Sequence, residues 1–329
     1  MALYLSEADV QKLLTMPAAL EMVERALRDR TLGRAVDIPR VRTATANSAL
    51  RVLQAAAPEL GYIGFKYTYA QGGRRCTYVH LIDIKTAQLA AIVDSDWLGA
   101  VRTGAASGVA SRQLANPGAS VLAQLGAGRQ GYGQLEAVCL ALGIRKVQVY
   151  SPTRSRLEAF CSAMAKKLGI EVVPTASGAA ALKGAQVVNV ITRSAEPVLL
   201  GEWLSPGQHI NAAGSNALNR RELDEAAVRR CDLVVVDSRG TAQNECGDLL
   251  HAVEAGRLHW DKLAEIGEVM TGQATGRTSS DQISLYESHG MGIQDLYVAA
   301  KVLELARTQG VGSEVPIEVL REDERVSFV

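Results

Sequence analysis

The sequence predicts an α/β protein in which an antiparallel sheet with flanking helices is followed by a doubly wound parallel sheet. Three observations support this fold class: alternating apolar residues before residue 90, a glycine-rich turn after an apolar strand near residue 120, and short apolar strands separated by helices after that turn. Strands that alternate with helices are typical of a parallel sheet that is covered on both faces. The 329 residues suffice for two domains.

Two helices are expected at the beginning of the chain. Ser6 is suited to cap a helix over residues 6–15, and Asp9 stands three residues later, as in a capping box. A second helix is expected from Pro17 to Leu32, because its leucine and valine residues recur at helical spacing and share one face.

Two strands are expected next, at residues 63–69 and 77–83. The segment between them contains Gly72 and Gly73, which favour a hairpin turn. Period-two alternation places four apolar side chains of the first strand on one face and Lys66 on the other. This part of the chain is therefore expected to form an antiparallel sheet.

The pattern changes near Asn116 and Pro117. From Ser120 onward, apolar strands that lack alternation are separated by glycine turns and helical segments, which indicates strands buried on both faces of a parallel sheet. The strands are expected at SVLAQLG, KVQVYS, QVVNVIT, HINAAG and DLVVVD. A final helix is expected over about residues 293–309, and it is expected to return to the first part of the chain.

The charge balance excludes some classes of partner. Lys plus Arg and Asp plus Glu both number 35, so the formal net charge is zero. Nucleic acids and anionic membranes are bound through a basic surplus, and neither is expected as a partner. The five cysteines form no CxxC pair, no apolar run reaches the roughly 20 residues of a membrane span, and the first residues lack a basic signal-peptide segment. We therefore expect a cytoplasmic protein with reduced cysteines.

The most specific motif is the turn Gly126-Ala127-Gly128-Arg129-Gln130-Gly131. It follows an apolar strand and begins a helix, which is the context that a dinucleotide-binding GxGxxG sequence requires. The first glycine permits a tight turn, the second lets the backbone approach a pyrophosphate, and the third allows the helix to lie close to the strand. The motif predicts a Rossmann-type site for NAD or NADP.

The end of the next strand bears on which nucleotide is bound. NAD sites usually have an acidic residue there for the ribose 2′-hydroxyl, and none is present. Ser151, Thr153 and Arg154 are instead suited to a 2′-phosphate, which favours NADP. The alternative is that Arg154 and Arg156 form a solvated helix start, and NAD is therefore kept as the second candidate cofactor.

Three basic residues suggest a site for a carboxylated substrate. Arg42 follows an Ile-Pro pair, Lys66 lies on the polar face of its strand, and Arg102 precedes a run of small residues, 103–110, that we expect to begin a helix able to receive an anion. Arginine suits bidentate carboxylate binding, and a partly buried lysine can transfer a proton. The alternative is that each is a solvated or structural charge. We assign Thr103 to the cofactor site.

His80 is expected to line the same site from the second strand, or else to be a structural histidine. The five histidines show no ligand spacing, so no metal is expected. A second acidic group on the substrate would need further partners, for which Arg74, Arg75, His80 and Ser215 are candidates. The alternative is that the two arginines of this hairpin face solvent.

Nine short blocks of the chain resemble the ornithine cyclodeaminase/mu-crystallin family and occur in its order. They are Pro39-Arg40-Val41-Arg42-Thr43, Gly64-Phe65-Lys66, Arg102-Thr103-Gly104-Ala105-Ala106, Gly126-Ala127-Gly128-Arg129-Gln130, Arg221-Glu222-Leu223-Asp224, Val236-Asp237-Ser238, Glu245-Cys246-Gly247-Asp248-Leu249, Glu265-Ile266-Gly267-Glu268-Val269 and Ser288-His289-Gly290-Met291-Gly292-Ile293-Gln294-Asp295. The resemblance implies a substrate-binding and dimerisation domain over residues 1–116, an NAD(P)-binding Rossmann domain over 117–292, and a C-terminal segment, 293–329, that returns to the first. It also implies a homodimer.

The resemblance further implies an enzyme that acts on small α-amino acids or their imines with NAD(P). It maps substrate-carboxylate binding to Arg42 and Arg102, with Arg40 as a competing register, and it maps a catalytic or substrate-orienting lysine to Lys66.

One position departs from the cyclodeaminase pattern. Cyclodeaminases have an Asp where this chain has Asn216, and an amide cannot act as a carboxylate base. We keep Asn216 as a substrate contact and expect an NAD(P)H-dependent imine reductase that is reversible as an amino-acid dehydrogenase, with 1-pyrroline-2-carboxylate, 1-piperideine-2-carboxylate, iminosuccinate and the imine of pyruvate as candidate substrates. The alternatives are an ornithine or lysine cyclodeaminase and a ligand-binding protein without activity.

Overall fold

The structure is a computed structural model that describes residues 2–317. Met1 and residues 318–329 lie outside the described residues, and so does the part of the predicted C-terminal return that follows residue 317. Within residues 2–317, none of the helices has both the length and the apolar character needed to cross a membrane.

The first part of the chain contains two helices joined by a short loop, a run of strands and a long helix. These elements are β1 (Ala2–Leu5), α1 (Glu7–Leu13), α2 (Met16–Thr31), β2 (Val36–Ala44), β3 (Ser48–Ala57), β4 (Tyr62–Gln71), β5 (Arg74–Asp83), β6 (Leu89–Asp94) and α3 (Asp96–Leu114). The two predicted helices are confirmed, and Ser6 and Asp9 form the expected capping box at α1. The predicted hairpin is confirmed as β4 and β5, with Gly72 and Gly73 at positive φ in its turn.

These strands form one seven-stranded sheet together with β15 (Ser313–Val315), in the order β15-β1-β6-β5-β4-β3-β2. Every pairing is antiparallel except that of β1 with β6. Of these seven strands, only β4 and β5 were predicted individually. The predicted antiparallel sheet is therefore confirmed and is larger than expected.

The second part of the chain alternates strands and helices. Its elements are β7 (Val121–Leu125), α4 (Arg129–Leu142), β8 (Lys146–Tyr150), α5 (Arg154–Leu168), β9 (Glu171–Pro174), α6 (Gly178–Leu182), β10 (Val187–Val190), β11 (His209–Ala212), α7 (Glu225–Arg229), β12 (Leu233–Val236), α8 (Arg239–Glu245), α9 (Gly247–Glu254), β13 (Ala264–Glu265), α10 (Ile266–Thr271), β14 (Ser284–Glu287) and α11 (Gly292–Gln309).

Eight of these strands form a parallel sheet in the order β13-β12-β14-β11-β10-β7-β8-β9. Every pairing within it is parallel, and β7 lies beside both β10 and β8, where the strand order reverses. The predicted fold class, a Rossmann-type doubly wound sheet with an α+β part, is confirmed. All four residues of β10 and all four of β11 are buried, as the lack of alternation in these predicted strands indicates. The residues of β14 are also buried, but this strand was not predicted.

Helices α3 and α4 pack closely against each other at two glycines. A Cβ atom on Gly133 of α4 would lie 2.6 Å from the backbone oxygen of Ala100, and a Cβ on Gly104 of α3 would collide with the backbone of Gly133. Only glycine lets the two helices approach this closely, so the small residues around Arg102 serve helix packing. One expectation is wrong: residues 103–110 do not begin a helix, because α3 already begins at Asp96.

The predicted C-terminal helix is found as α11. Its buried side chains Ile293, Leu296 and Tyr297 belong to the same core as those of α2 and the seven-stranded sheet. The Tyr297 hydroxyl donates a buried 2.7 Å hydrogen bond to Asp29 of α2. The division of the chain into domains near residue 117 stays a prediction.

Candidate active site

A cavity of about 160 Å³ lies between the seven-stranded sheet, helix α3 and the start of α4. The register of β3, β4 and β5 places Arg51 opposite Thr68 and Thr68 opposite Thr77, and all three line the cavity together with Lys66. Lys66 and Thr68 are two residues apart and so share one face of β4. The alternation seen in the sequence thus brings Lys66 into the cavity.

Lys66 and Arg102 share one carboxylate. The Lys66 ammonium donates to Oδ1 of Asp295 over 3.0 Å, and Nε of Arg102 donates to the same oxygen over 2.9 Å. Arg102 also donates from Nη1 to the side-chain oxygen of Gln294 over 3.0 Å. Lys66 is only 9 % exposed and Asp295 is fully buried. The structure therefore places the predicted Lys66 and Arg102 side by side at the cavity.

Burial controls the ionisation of this group. It lowers the pKa of Lys66 to about 8, a shift that Asp295 opposes and Arg102 reinforces. Burial alone would raise the pKa of Asp295, but the charges of Arg102 and Lys66 hold it below its usual value. Lys66 can thus exchange a proton near neutral pH while Asp295 stays ionised.

Arg40 and Arg42 share a second carboxylate, that of Glu245. Arg42 donates to Oε1 of Glu245 over 2.8 Å and to the backbone oxygen of Asn216 over 2.7 Å. Arg40 donates to the other oxygen of Glu245 and to the backbone oxygen of His289. Arg40 lines the cavity with a side chain that is 6 % exposed, whereas Arg42 is 36 % exposed and is not part of the lining. This geometry favours Arg40 over Arg42 as the arginine of this motif that faces the substrate. The carboxylate-binding role of Arg42 stays a prediction.

The glycine turn has the geometry of a phosphate cradle. Gly126 has a φ of +112°, and a Cβ there would collide with the backbone oxygen of Ile191, so the tight turn requires glycine. A Cβ on Gly131 would lie 2.9 Å from the Gly126 oxygen. At Gly128, which caps α4, a Cβ would meet nothing within 4 Å, so open space faces the amide groups at the helix start. These residues fit a bound pyrophosphate, which the helix N-terminus favours.

The residues that follow the turn connect it to the cavity. Arg129 donates to the backbone oxygen of Asp96 over 2.8 Å and pairs with its carboxylate at 2.9 Å. Both side chains and Gln130 line the cavity. Ala127 is buried beneath the turn. The predicted nucleotide turn and the predicted substrate residues therefore border the same space.

The residues proposed to distinguish NADP from NAD lie where β8 ends. Ser151 follows β8, and Thr153 is the N-cap residue of α5 but makes no side-chain capping bond. Arg154 pairs with Glu158 on its own helix over 2.5 Å, and both side chains are mostly exposed. Arg154 thus occupies the solvated helix start that was the alternative, and the preference for NADP stays a prediction.

The structure does not bring His80 to the cavity. His80 is paired with Phe65 in the sheet, and the two rings stack at 4.8 Å on the face opposite Lys66. Burial lowers the pKa of His80. The expectation that His80 lines the site is corrected by this register. Thr103 lies within α3 and donates its hydroxyl to the backbone oxygen of Gly99, and its contact with the cofactor stays a prediction.

A buried group beneath Glu245 contains three residue types that can bind metals. Cys246, Glu287 and His289 bring ligand atoms within 4.8 Å of one another. The Nδ1 atom of His289 also lies 3.7 Å from a carboxylate oxygen of Asp237, and its Nε2 atom lies 3.8 Å from one of Glu287. The expectation of a metal-free protein stays a prediction.

Two acidic residues of the site were not predicted. Asp295 and Glu245 lie in motifs that the sequence analysis quoted, but no role was given to them. Each is more than 190 positions from its basic partners, and only the fold brings them together. The available signal was their place in two of the nine blocks that resemble the family. Asn216, which was predicted, lines the cavity.

Known proteins are similar to nearly the whole chain. The profile of the ornithine cyclodeaminase/mu-crystallin family matches residues 2–310. An alanine dehydrogenase of Archaeoglobus fulgidus is 31% identical over 321 residues, which make up 95% of this chain and 98% of that protein. A Delta(1)-pyrroline-2-carboxylate reductase of Bacillus cereus is 34% identical over 238 residues, or 72% of this chain and 73% of that protein.

Solved structures agree with this likeness. The Delta(1)-pyrroline-2-carboxylate reductase of Thermococcus litoralis, in complex with NADH and L-proline, superposes with a TM-score of 0.90 at 32% identity, covering 95% of this chain and 100% of that one. An archaeal alanine dehydrogenase dimer with bound NAD gives 0.89 at 30%, covering 96% and 99%. The iminosuccinate reductase of Paracoccus denitrificans with NAD⁺ gives 0.89 at 29%, also covering 96% and 99%.

Proposed function

The chain belongs to the ornithine cyclodeaminase/mu-crystallin family, and we propose that it reduces a small α-imino acid to the L-amino acid with NAD(P)H. Its class is that of NAD(P)-dependent oxidoreductases acting on CH–NH or C=N bonds. The reverse reaction is the oxidation of an amino acid to its imine. Candidate substrates are 1-pyrroline-2-carboxylate, iminosuccinate and the imine of pyruvate, which correspond to the activities named for the similar proteins.

The open start of α4 supports binding of the dinucleotide. The amide groups that follow Gly128 would hold its pyrophosphate, and Arg129 adds a positive charge beside them. When bound, NAD(P)H supplies the hydride that the reduction needs. The structures of similar proteins contain NADH, NAD or NAD⁺, so NAD and NADP are both retained here as candidate cofactors.

Lys66 and Arg102 are proposed to bind the substrate carboxylate. Together they carry one more positive charge than Asp295 neutralises, and both border the cavity. Arg40, paired with Glu245, lies in the same lining and can add a further donor. A planar guanidinium and an ammonium held in place by buried acids are well suited to orient a carboxylate.

Lys66 is also proposed to supply the proton. An imine accepts hydride well only when its nitrogen is protonated, and a group whose pKa lies near the working pH transfers protons efficiently. Burial brings the pKa of Lys66 to about 8, and the ion pair with Asp295 holds its Nζ at the cavity wall. The shared ion pair of Lys66 and Arg102 on Asp295, at the cavity that also borders the nucleotide turn, is the observation that carries the proposal.

The direct test follows NAD(P)H absorbance with imino acids formed from 2-oxo acids and ammonia or supplied as cyclic imines. The proposal predicts consumption of one NAD(P)H per amino acid formed. Ammonia and proline released from ornithine without net change in cofactor would support the cyclodeaminase alternative and overturn the proposal. Asn216 argues against that alternative, because its amide cannot accept the proton that a carboxylate would.

The protein is further proposed to be a homodimer. The face of the seven-stranded sheet opposite Lys66 exposes large apolar side chains, among them Val41, Leu50, Ile63 and Tyr69. An exposed apolar sheet face is typical of a protein–protein interface, and one similar structure is an alanine dehydrogenase dimer. Light scattering of the purified protein tests this directly. A monomeric mass at micromolar concentration would contradict it.

A further inference from the structure

The cavity carries more positive charge than one α-carboxylate requires. Its lining includes Lys66, Arg102 and Arg40 on one side, which share Asp295 and Glu245. On the other side it includes Arg51, Arg75 and Arg129. Asp96 is the one acidic residue that lines this space within residues 2–317, so the second side is strongly positive.

The second basic group is built on the substrate side of the cavity. Arg51 and Arg75 stand on β3 and β5, and sheet register pairs them with Thr68 and Ala70 of the neighbouring strand β4. Thr68 and Ala70 follow Lys66 at two-residue spacing, so all of these residues share one face. Thr68, opposite Arg51, is one such step from Lys66, or about 7 Å, and Ala70, opposite Arg75, is two steps away, or about 13 Å. Both arginines line the same cavity as Lys66, so a ligand that extends from Lys66 along this wall meets Arg51 first and Arg75 beyond it.

Hydroxyl groups also line this sheet wall of the cavity. The Thr68 and Thr77 hydroxyl oxygens are 3.0 Å apart, and Thr77 is 3.0 Å from the hydroxyl oxygen of Ser95. The wall beyond Lys66 is thus polar, whereas a pocket for an aliphatic side chain is mostly apolar. The chemistry of this wall suits a charged or hydrogen-bonding substituent.

The charges on this side are incompletely paired. Arg75 and Arg129 both contact Asp96, and Arg51 has no ion-pair partner within the described part of the chain. Partial burial lowers the pKa of Arg75, and the charges of Arg129, Arg193 and Arg51 lower it further. Arg129 belongs to the nucleotide turn, where a pyrophosphate would neutralise it. Arg51 and Arg75 stand on the seven-stranded sheet and retain positive charge that a second anion would neutralise.

We propose that Arg51 and Arg75 bind a second carboxylate, carried by the substrate side chain, so that the preferred substrates are short dicarboxylic imino acids. The inference rests on the proposed reductase function and adds the substrate class. Three other residues weighed for such a site do not line the cavity. Arg74 points to the opposite face of β5, His80 stacks on Phe65, and the Ser215 hydroxyl donates to the backbone oxygen of Arg220.

The test compares matched substrates in both directions. Oxaloacetate or pyruvate with ammonia serve for reduction, and L-aspartate, L-glutamate, L-alanine and L-2-aminobutyrate serve for oxidation with NAD⁺. We expect kcat/KM to be at least about tenfold higher for the dicarboxylic members, since charge-assisted hydrogen bonds to a carboxylate are strong. The variants Arg51→Leu and Arg75→Leu should each lower kcat/KM for dicarboxylic substrates by about 10- to 100-fold.

The same variants should change kcat/KM for monocarboxylic substrates by less than about threefold and leave the KM for NADH unchanged, because the α-carboxylate site is intact. Arg74→Leu is the matched control, because Arg74 is adjacent to Arg75 in sequence but lies on the other face of β5. It should alter neither substrate class. Arg75 is 42 % exposed, so its removal should leave the melting temperature nearly unchanged.

Two outcomes would overturn the inference while the reductase proposal stands. One is a wild-type enzyme that reduces monocarboxylic imines as well as dicarboxylic ones or better. The other is a rise in the KM for NADH in Arg51→Leu and Arg75→Leu with unchanged substrate preference, which would assign both arginines to the cofactor. Absence of NAD(P)H consumption with every imine tested would overturn the proposed function itself.

Discussion

The ammonium of Lys66 donates a hydrogen bond of 3.0 Å to the carboxylate of Asp295, which stands 229 positions later in the chain. Arg102 donates to the same oxygen over 2.9 Å. One buried anion thus holds two cations side by side at the wall of a cavity that also borders the glycine turn.

Replacement of Lys66 by methionine should lower kcat/KM for imine reduction by about 10²- to 10⁴-fold, because the proposed proton donor is lost. Methionine fills a similar volume without the charge. Steady-state kinetics with a fixed imine and NADH measure the effect. Lys301→Met, which removes a lysine from an exposed pair on α11, is the control and should have no effect. Unchanged turnover in Lys66→Met would remove Lys66 from the mechanism.

The pH dependence of the two directions should be opposite. Reduction needs protonated Lys66, so its kcat/KM should be constant at low pH and fall above about pH 8. Amino-acid oxidation needs neutral Lys66, so its kcat/KM should rise toward about pH 8 and then level off. Rates measured across this range with both substrates are sufficient. A reduction profile that continues flat well above pH 8 would argue against proton donation by Lys66.

Replacement of Asp295 by asparagine should destabilise the protein and shift the pH profile. Loss of one partner from a buried charge cluster typically costs about 3–5 kcal/mol. Asp295 also raises the pKa of Lys66, so the fall in reduction should move to lower pH in the variant. Glu304→Gln, which breaks an exposed pair on the same helix, should cost less than about 1 kcal/mol and leave the profile in place.

Denaturant unfolding and pH–rate profiles together test the Asp295 prediction. The profile matters most, because a purely structural role of Asp295 would lower stability without moving it. An Asp295→Asn protein with wild-type pH dependence would show that Asp295 does not control the ionisation of Lys66.

Two glycines of the nucleotide turn should respond differently to alanine. A Cβ on Gly128 meets nothing within 4 Å, so Gly128→Ala should fold normally but raise the dissociation constant of NADH by about tenfold or more, because the methyl group occupies the space of the pyrophosphate. Gly126→Ala should instead lower the melting temperature, since φ is +112° and the Ile191 backbone blocks a Cβ. Calorimetry separates the two effects. Tight NADH binding by Gly128→Ala would contradict this assignment.

Local patterns predicted most of the secondary structure that positions the site. The alternation around Lys66 correctly placed it on the polar face of β4, and the strand–turn–helix context of Gly126 correctly located the start of α4. Both features depend on neighbouring residues only, and these carry enough information to specify a strand face or a helix start.

Features that depend on sheet register and distant contacts were not predictable in the same way. The place of His80 depends on which residue of β4 it faces, and a shift of one position would reverse its side. The roles of Asp295 and Glu245 arise from contacts across about 200 positions, for which a single sequence contains no spacing rule. The run of small residues after Arg102 indicated a helix, but its beginning at Asp96 lacks a side-chain cap that would mark it.

We propose that hydride passes from the reduced cofactor to the imine carbon of an α-imino acid bound at Lys66 and Arg102. The most direct test supplies NADH carrying deuterium at the transferable position and analyses the amino-acid product by mass spectrometry. We expect one deuterium at the α-carbon for each NAD⁺ formed, and loss of this product in Lys66→Met. An amino acid formed without deuterium, or formed without any NAD⁺, would contradict it.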